Sequence, residues 1–314
     1  MRAFITGITG QDGSYLAEYL LGLGYDVYGI VRRHSVAEDQ QDRIEHIKNH
    51  LQVSYGDLSD QSSLERAIVK AQPDEIYNLA AQSHVRVSFD IPQYTAQTNA
   101  IGVLNMLDTY KRVAPGAKFY QASSSEMFGL SVDEDGYQRE TTSMNPVSPY
   151  GCAKVFGYNM VRHYRRAYKL HACNGILFNH ESPRRGSNFV TKKVVNAACR
   201  IKAGKQKELV LGNMDSHRDW GHSKDYVRAM HMIINEPPDD FVVSTMQTHT
   251  IRDMCDIVFT YLGMDYRDYV TQDKRYMRPE ELPYLRGDST KIRTLGWEPE
   301  YTFKEMLHEM IEHD

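Results

Sequence analysis

The first 32 residues constrain the fold more than any other stretch. RAFITG (2–7) is a short apolar run. A turn with glycines at 7, 10 and 13 follows, and SYLAEYLLGLG (14–24) then repeats its apolar residues at helical spacing. YDVYGIVR (25–32) returns to a strand pattern. A strand, a glycine turn, a helix and a second strand with short connections describe two parallel strands joined by a crossover helix. The alternation continues through LQVSYGDL, SLERAIVKAQ, DEIYNLAA, a long helix near residues 93–113, KFYQASS, a helix from Tyr150 to about Lys169, and CNGILFN. This predicts an α/β chain, a Rossmann-like doubly wound parallel sheet with helices on both faces. Ligands of such sheets bind beyond the carboxyl ends of the strands, where the strand order reverses. After about residue 180 the pattern weakens: ESPRRGSNF is loop-like, KKVVNAACRIKAG helical, and TFKEMLHEMIEH a terminal helix. Residues 1–178 are therefore expected to bind the dinucleotide, with a return segment near 219–235. Residues 179–314 are expected to form a smaller, substrate-binding α/β domain.

At 314 residues the chain can form one large unit or two domains sharing a cleft. A net charge of −4 does not suggest a nucleic-acid partner, and no run of about 18 apolar residues predicts a membrane span. MRAFITGITG runs straight into a strand, leaving no room for a signal peptide. Cys152, Cys173, Cys199 and Cys255 stand apart from one another without metal or redox spacing, which fits reduced thiols in a cytoplasm. His46 and His50 are four apart and metal-compatible, but the run DRIEHIKNH reads as a solvated helix face, so no metal is expected.

In TGITGQDG, Gly7, Gly10 and Gly13 lie between strand and helix, with Thr9, Gln11 and Asp12 beside them. Glycines permit a tight turn and close approach to a pyrophosphate at the helix N-terminus, although the triplet alone is also what a plain turn would use. A site for NAD usually carries an acidic residue after the second strand. VRRHS puts Arg32 and Arg33 there instead, suited to a 2′-phosphate, or simply two solvated arginines. Asp57 and Leu58 after the third strand, and Leu79, Ala80, Ala81, Gln82 and Ser83 after the fourth, occupy ends where adenine and ribose would lie. Together these point to NADP.

QASSSEMFG (121–129) places three serines and Glu126 at the end of a strand, where polar groups are costly to bury. YGCAK then sets Tyr150 and Lys154 one helical turn apart on a common face. A tyrosine is a poor base at neutral pH unless a nearby cation favours its phenolate, as an ammonium and a nicotinamide cation would. Glu126 read locally could also cap a helix or pair with an arginine.

TGITGQDGSYL, NLAAQSHV and Ser124 with Tyr150 and Lys154 resemble the extended short-chain dehydrogenase/reductase superfamily. FYQASSSEMFG, CNGILFNHESPRRGSNFVTKK, LGNMDSHRDWGHSKDYV and RYMRPEE resemble, more narrowly, the GDP-mannose 4,6-dehydratase family, almost from end to end. The resemblance implies a hydro-lyase that forms GDP-4-dehydro-6-deoxymannose by moving hydride from C4 to C6 through bound NADP. Tyr150 would take the 4-hydroxyl proton, Ser124 would bond the 4-oxygen and Glu126 would remove the C5 proton. It also assigns cofactor contacts to Tyr94, Lys154, His180 and Arg185. Contacts to the nucleotide sugar go to Ser83, Asn179, Lys193, Arg218, Arg278 and Glu281. A homotetramer built from dimers is implied, with the helices near 93–113 and 150–169 at the dimer face and the VRRHS loop reaching a neighbour. Three departures stand out: Ser124 where family members commonly carry threonine, a slightly longer loop between Glu126 and Tyr150, and a shorter segment before RYMRPEE. A 4-epimerase or 4-keto reductase of the same superfamily is the alternative, and neither has the same use for Glu126.

Overall fold

The computed structural model describes residues 1–32, 41–277 and 280–314. Seven parallel strands form the central sheet: β1 (Arg2–Thr6), β2 (Asp26–Val31), β3 (Leu51–Tyr55), β4 (Glu75–Asn78), β5 (Lys118–Ser124), β6 (Ala172–Leu177) and, out of sequence, a strand at Asp240–Val243. Strand alternation sorts their side chains. Ala3, Ile5, Tyr77, Tyr120 and Cys173 point to one face, and Phe4, Ile76, Phe119 and Ala172 to the other, all fully buried. Both faces are therefore apolar, which is why these strands read as continuous hydrophobic runs rather than as alternations.

Helices α1 (Gln11–Gly22), α2 (Gln61–Ala71), α3 (Val85–Asp90), α4 (Pro92–Ala96), α5 (Gly102–Val113) and α6 (Pro149–Tyr168) connect the strands. The helix predicted near 93–113 is α4 and α5 joined through a wide π turn at Gln97–Ile101. Helices α2, α5 and α6 cover the Phe119 face. The opposite face is covered by α1 and by a helix from the far half of the chain.

That far half begins with β7 (Asn179–Glu181) and α7 (Val190–Lys202). It continues through β8 (Leu209–Leu211), β9 (His217–Arg218), β10 (Trp220–His222), α8 (Ser223–Asn235) and the seventh sheet strand, β11. Then come β12 (His249–Thr250), α9 (Ile251–Tyr261), β13 (Val270–Gln272), β14 (Tyr284–Leu285), α10 (Thr290–Arg293) and α11 (Phe303–Glu312). Helix α8 packs Val227, Met230, Ile233 and Ile234 into the same core as Leu16 and Leu20 of α1, and Trp297 closes that core. The chain thus reenters the first layer over a longer span than 219–235, because β11 extends the sheet beside β6. A second core joins α7, α9 and α11 around Val194, Met254, Phe259 and Leu307. The strand order is β11-β6-β5-β4-β1-β2-β3, so the direction of winding reverses between β1 and β4. The crevice for a ligand belongs above that reversal.

Candidate active site

The turn after β1 meets the loop after β4 at this reversal. Gly7 adopts φ +71, and a Cβ there would sit 2.9 Å from the Ala80 nitrogen. A Cβ on Gly13 would sit 2.2 Å from the Gly7 carbonyl. Only glycines let α1 start so close to the strand, which leaves its N-terminus facing the crevice. The 79–84 loop is pinned from below. Thr6 Oγ1 accepts from the Leu79 and Ala80 nitrogens at 3.1 and 3.0 Å. Asn99, in the π turn, bonds both the nitrogen and the carbonyl of Gln82 at 2.8 Å.

The three serines at the end of β5 separate by role. Ser123 donates to Asn174 at 3.1 Å and ties β5 to β6. Ser124 accepts from the Glu126 nitrogen at 3.3 Å, capping the single turn Ser125–Met127 that carries the carboxylate. Helix α6 opens with Ser148 as N-cap, bonded to the Gly151 nitrogen at 3.0 Å, and Pro149 in its first turn. A Cβ on Gly151 would lie 2.8 Å from the Glu126 carbonyl, so glycine lets the start of α6 press against the turn bearing Glu126.

Ser124, Glu126, Tyr150 and Lys154, all buried, line one cleft of about 400 Å³. The same cleft is lined by Asp12, Leu79, Ala81, Ser83, His180 and Arg185 from the dinucleotide side, and by Asn179, Lys193, Arg218 and Glu281 from the other. Gly7, Thr9 and Gly10 in the turn after β1, Gln11 and Gly13 in the first turn of α1, and Ala80 and Gln82 in the loop after β4 are not among its lining residues. Arg32, Asp57 and Leu58 lie outside it, at the ends of β2 and β3, because those strands lead away from β4 in the sheet. Tyr94 is also outside; its hydroxyl meets the Arg32 guanidinium. Asp57 accepts from the Ser59 nitrogen and hydroxyl at 2.8 and 2.7 Å, and Leu58 is buried. Arg33 and Arg278 fall outside the described residues.

Burial pushes the Tyr150 hydroxyl up to about 12, against the pull of Ser124 and Arg185. Burial also takes the Lys154 ammonium down to about 8, with Asp12 opposing it. Lys154 donates to the Ala122 carbonyl at 2.8 Å and lies 5.6 Å from the centre of the Tyr150 ring. Beneath them, His180 bonds Asp12 at 2.8 Å and the Phe178 carbonyl at 2.7 Å. Burial alone would raise the Asp12 carboxyl, but the charge and hydrogen bond of His180 take it below its ordinary value. Burial pulls His180 the other way, and Asp12 outweighs it. Lys193, lowered by burial, donates to the Val210 carbonyl at 2.9 Å and lies over the Tyr276 ring.

The cleft also recruits His84, Phe189, Trp220 and Tyr276, which the sequence reading did not single out. His84 lies against Phe189 at 5.0 Å and Trp220 stacks on Phe303 at 5.4 Å. The one usable signal was Trp220, since tryptophan occurs only twice in the chain. Among the described residues no group of three or more His, Cys, Asp or Glu is placed to hold a metal ion. None of their helices is long and apolar enough to cross a membrane.

Comparison with known proteins agrees with this geometry. Residues 4–310 match the family described as GDP-mannose 4,6 dehydratase. The chain is 49% identical to GDP-mannose 4,6 dehydratase 2 of Arabidopsis thaliana, over 99% of this chain and 86% of that one. It is 45% identical to GDP-mannose 4,6 dehydratase of Homo sapiens (99% and 91%) and 44% to that of Vibrio cholerae (100% and 93%). Among solved structures, UDP-glucose 4-epimerase of Thermus thermophilus, in complex with NAD, superposes with a TM-score of 0.87 at 24% identity, over 100% of this chain and 98% of that one. A dTDP-glucose 4,6-dehydratase of Bacillus anthracis gives 0.86 at 23%, over 100% and 96%. At such identity these two speak for the fold, whereas the matches along the whole sequence speak for the family. The chain belongs to the GDP-mannose 4,6-dehydratase family.

Proposed function

We propose that the protein is an NADP-dependent hydro-lyase that converts GDP-mannose to GDP-4-dehydro-6-deoxymannose and water. The observation that carries this reading is Glu126, a buried carboxylate lining the same cleft as Ser124, Tyr150 and Lys154. An epimerase or reductase needs the hydroxyl, the phenol and the ammonium, but has no evident use for a second base.

The glycine turn and the α1 N-terminus fit a dinucleotide pyrophosphate, and Arg32 at the end of β2 suits the 2′-phosphate of NADP. A bound nicotinamide would supply the two-electron hydride chemistry that links C4 and C6 of the sugar. Tyr150 accepts the proton of the 4-hydroxyl, with Ser124 holding the oxygen. The 4-ketone makes the C5 proton acidic, and Glu126 takes it. The C6 hydroxyl leaves as water on receiving a proton from Glu126 or Tyr150, and whichever of the two still holds its proton returns it to C5. Lys154 holds the nicotinamide ribose. Asn179, Lys193, Arg218, Arg278 and Glu281 form the nucleotide-sugar end, where cations from distant segments suit a diphosphate. In this reading residues 1–178 and 219–235 serve the cofactor and 179–314 the substrate. A homotetramer built from dimers is part of this reading; the exposed apolar side chains of Ile101 and Phe156, on the helices expected at the dimer face, support that face. Four free thiols suit a cytoplasmic setting.

Incubation with GDP-mannose deuterated at C4 tests the reaction. Mass spectrometry should find a product lighter by one water, with the label at C6 and no net change in nicotinamide absorbance. Label lost to solvent or retained at C4 would refute the internal transfer.

A further inference from the structure

Asp219 lies between two residues that line the cleft, Arg218 and Trp220, yet it is fully buried. Its carboxylate accepts from the Thr245 nitrogen at 2.8 Å, the Thr245 hydroxyl at 2.7 Å and the Met246 nitrogen at 2.9 Å, and the Gly287 N–H lies close enough to draw its pKa down. All four groups are uncharged. Burial raises this carboxyl to about 7 even against those bonds. A carboxylate kept in so unfavourable a place is held there by geometry that uses it.

What it holds is specific. Met246 adopts φ +68, a left-handed conformation unfavourable for a non-glycine residue. This turn directly follows β11, the last strand of the sheet. Gly287 follows β14 and bridges to Gln138, in the loop between Glu126 and Tyr150. The Asp219 nitrogen donates in turn to the Leu285 carbonyl at 3.1 Å. Strand β9 itself is only His217–Arg218, pairing with β12 on one side and β14 on the other. Two residues fix a strand's orientation poorly, so its direction depends on the joint that follows. Asp219 is that joint, fastened at once to the main sheet, to β14 and, through Gly287, to the loop beyond Glu126.

We propose that Asp219 is a positioning residue: by clamping the 245–246 turn and the Gly287 backbone it holds β9 at the angle that aims Arg218 into the cleft. This rests on the reading of Arg218 as a diphosphate contact. Asp219→Asn is nearly isosteric but turns an amide N–H₂ toward backbone donors, so the clamp opens without a change in volume.

In the NADP-loaded enzyme, Asp219→Asn is expected to raise KM for GDP-mannose about tenfold, with kcat within about twofold and NADP affinity unchanged. General destabilisation would not divide KM from kcat in this way. Adding Asp219→Asn to Arg218→Ala should cost little further, because both remove the same contact; additive losses would overturn the proposal, as would an unchanged KM. Calorimetric titration with GDP reads the contact without turnover. If wild type binds GDP and Asp219→Asn weakens it about tenfold while neither turns over GDP-mannose, the assigned reaction fails and the positioning role stands. Should Asp219→Asn not fold, Thr245→Val removes one donor alone and should raise KM about twofold to threefold. No change there would also refute the role.

Discussion

Glu126 and Lys154 ask opposite things of the same buried cleft. Glu126 is expected to act only after C4 has been oxidised, so Glu126→Gln should leave GDP-mannose binding intact and lower kcat about 10²–10⁴-fold. Because the first step survives, reduced nicotinamide should accumulate on mixing with substrate; unchanged turnover, or no accumulation, would remove Glu126 from this role. Lys154 is a matter of stability as well as chemistry. Its ammonium is drawn down to about 8 from an ordinary 10.5. Below the lower value both folded and unfolded chains carry the proton, and the folded state bears the desolvation penalty. Between the two values the unfolded chain binds more protons, so the penalty fades as pH rises. Without added nucleotide, Lys154→Met should therefore be inactive yet more stable at pH 7, by on the order of 1–3 kcal/mol. Thermal unfolding across pH should show that gain shrinking toward pH 10. No gain at pH 7 would mean that the bond to the Ala122 carbonyl already compensates the ammonium.

The π turn at Gln97–Ile101 has a consequence for the cofactor loop. Asn99 is buried and makes both of its amide bonds to the Gln82 backbone. Asn99→Ala leaves a donor and an acceptor unpaired, at a cost of about 1–3 kcal/mol. Tm should fall by a few degrees, and NADP should bind more weakly while the Tyr150 region keeps its geometry; equal NADP affinity would show that the 79–84 loop does not need this tie. The sequence made some of this legible and not the rest, for physical reasons. Tyr150 and Lys154 could be paired because a helix has a fixed period, and the glycine turn because its steric demand is local. Strand and helix order through CNGILFN followed from apolar runs of ordinary length. The π turn left no trace, since QTNAI differs in no obvious way from a helix interior. The bond between Asp12 and His180 joins residues 168 apart, and the clamp of Asp219 depends on three segments that only the fold brings together. Spacing carries no information about such encounters.

At the scale of the molecule, the chain's own path argues against an independent cofactor domain. Helix α8 covers α1, and β11 completes the sheet beside β6. Val227, Met230, Ile233 and Ile234 are essentially inaccessible in that shared core. Removing four such side chains from their partners forfeits about 1.5–3 kcal/mol each, on the order of 10 kcal/mol together. That equals the whole stability of an ordinary domain, about 5–15 kcal/mol. A chain stopped at residue 181 keeps Gly7, Gly10 and Gly13 and the side chains of Ser124, Glu126, Tyr150 and Lys154, but exposes Leu16, Leu20 and the edge of β6. It should show no cooperative thermal transition by circular dichroism and no NADP-induced stabilisation, whereas the full chain shows both. A fragment that melts cooperatively and binds NADP would prove residues 1–178 autonomous. The expected failure follows from a cleft that needs both halves: β9, which brings Arg218 to the cleft, leads through β10 directly into α8, the helix that packs on α1 against the central sheet.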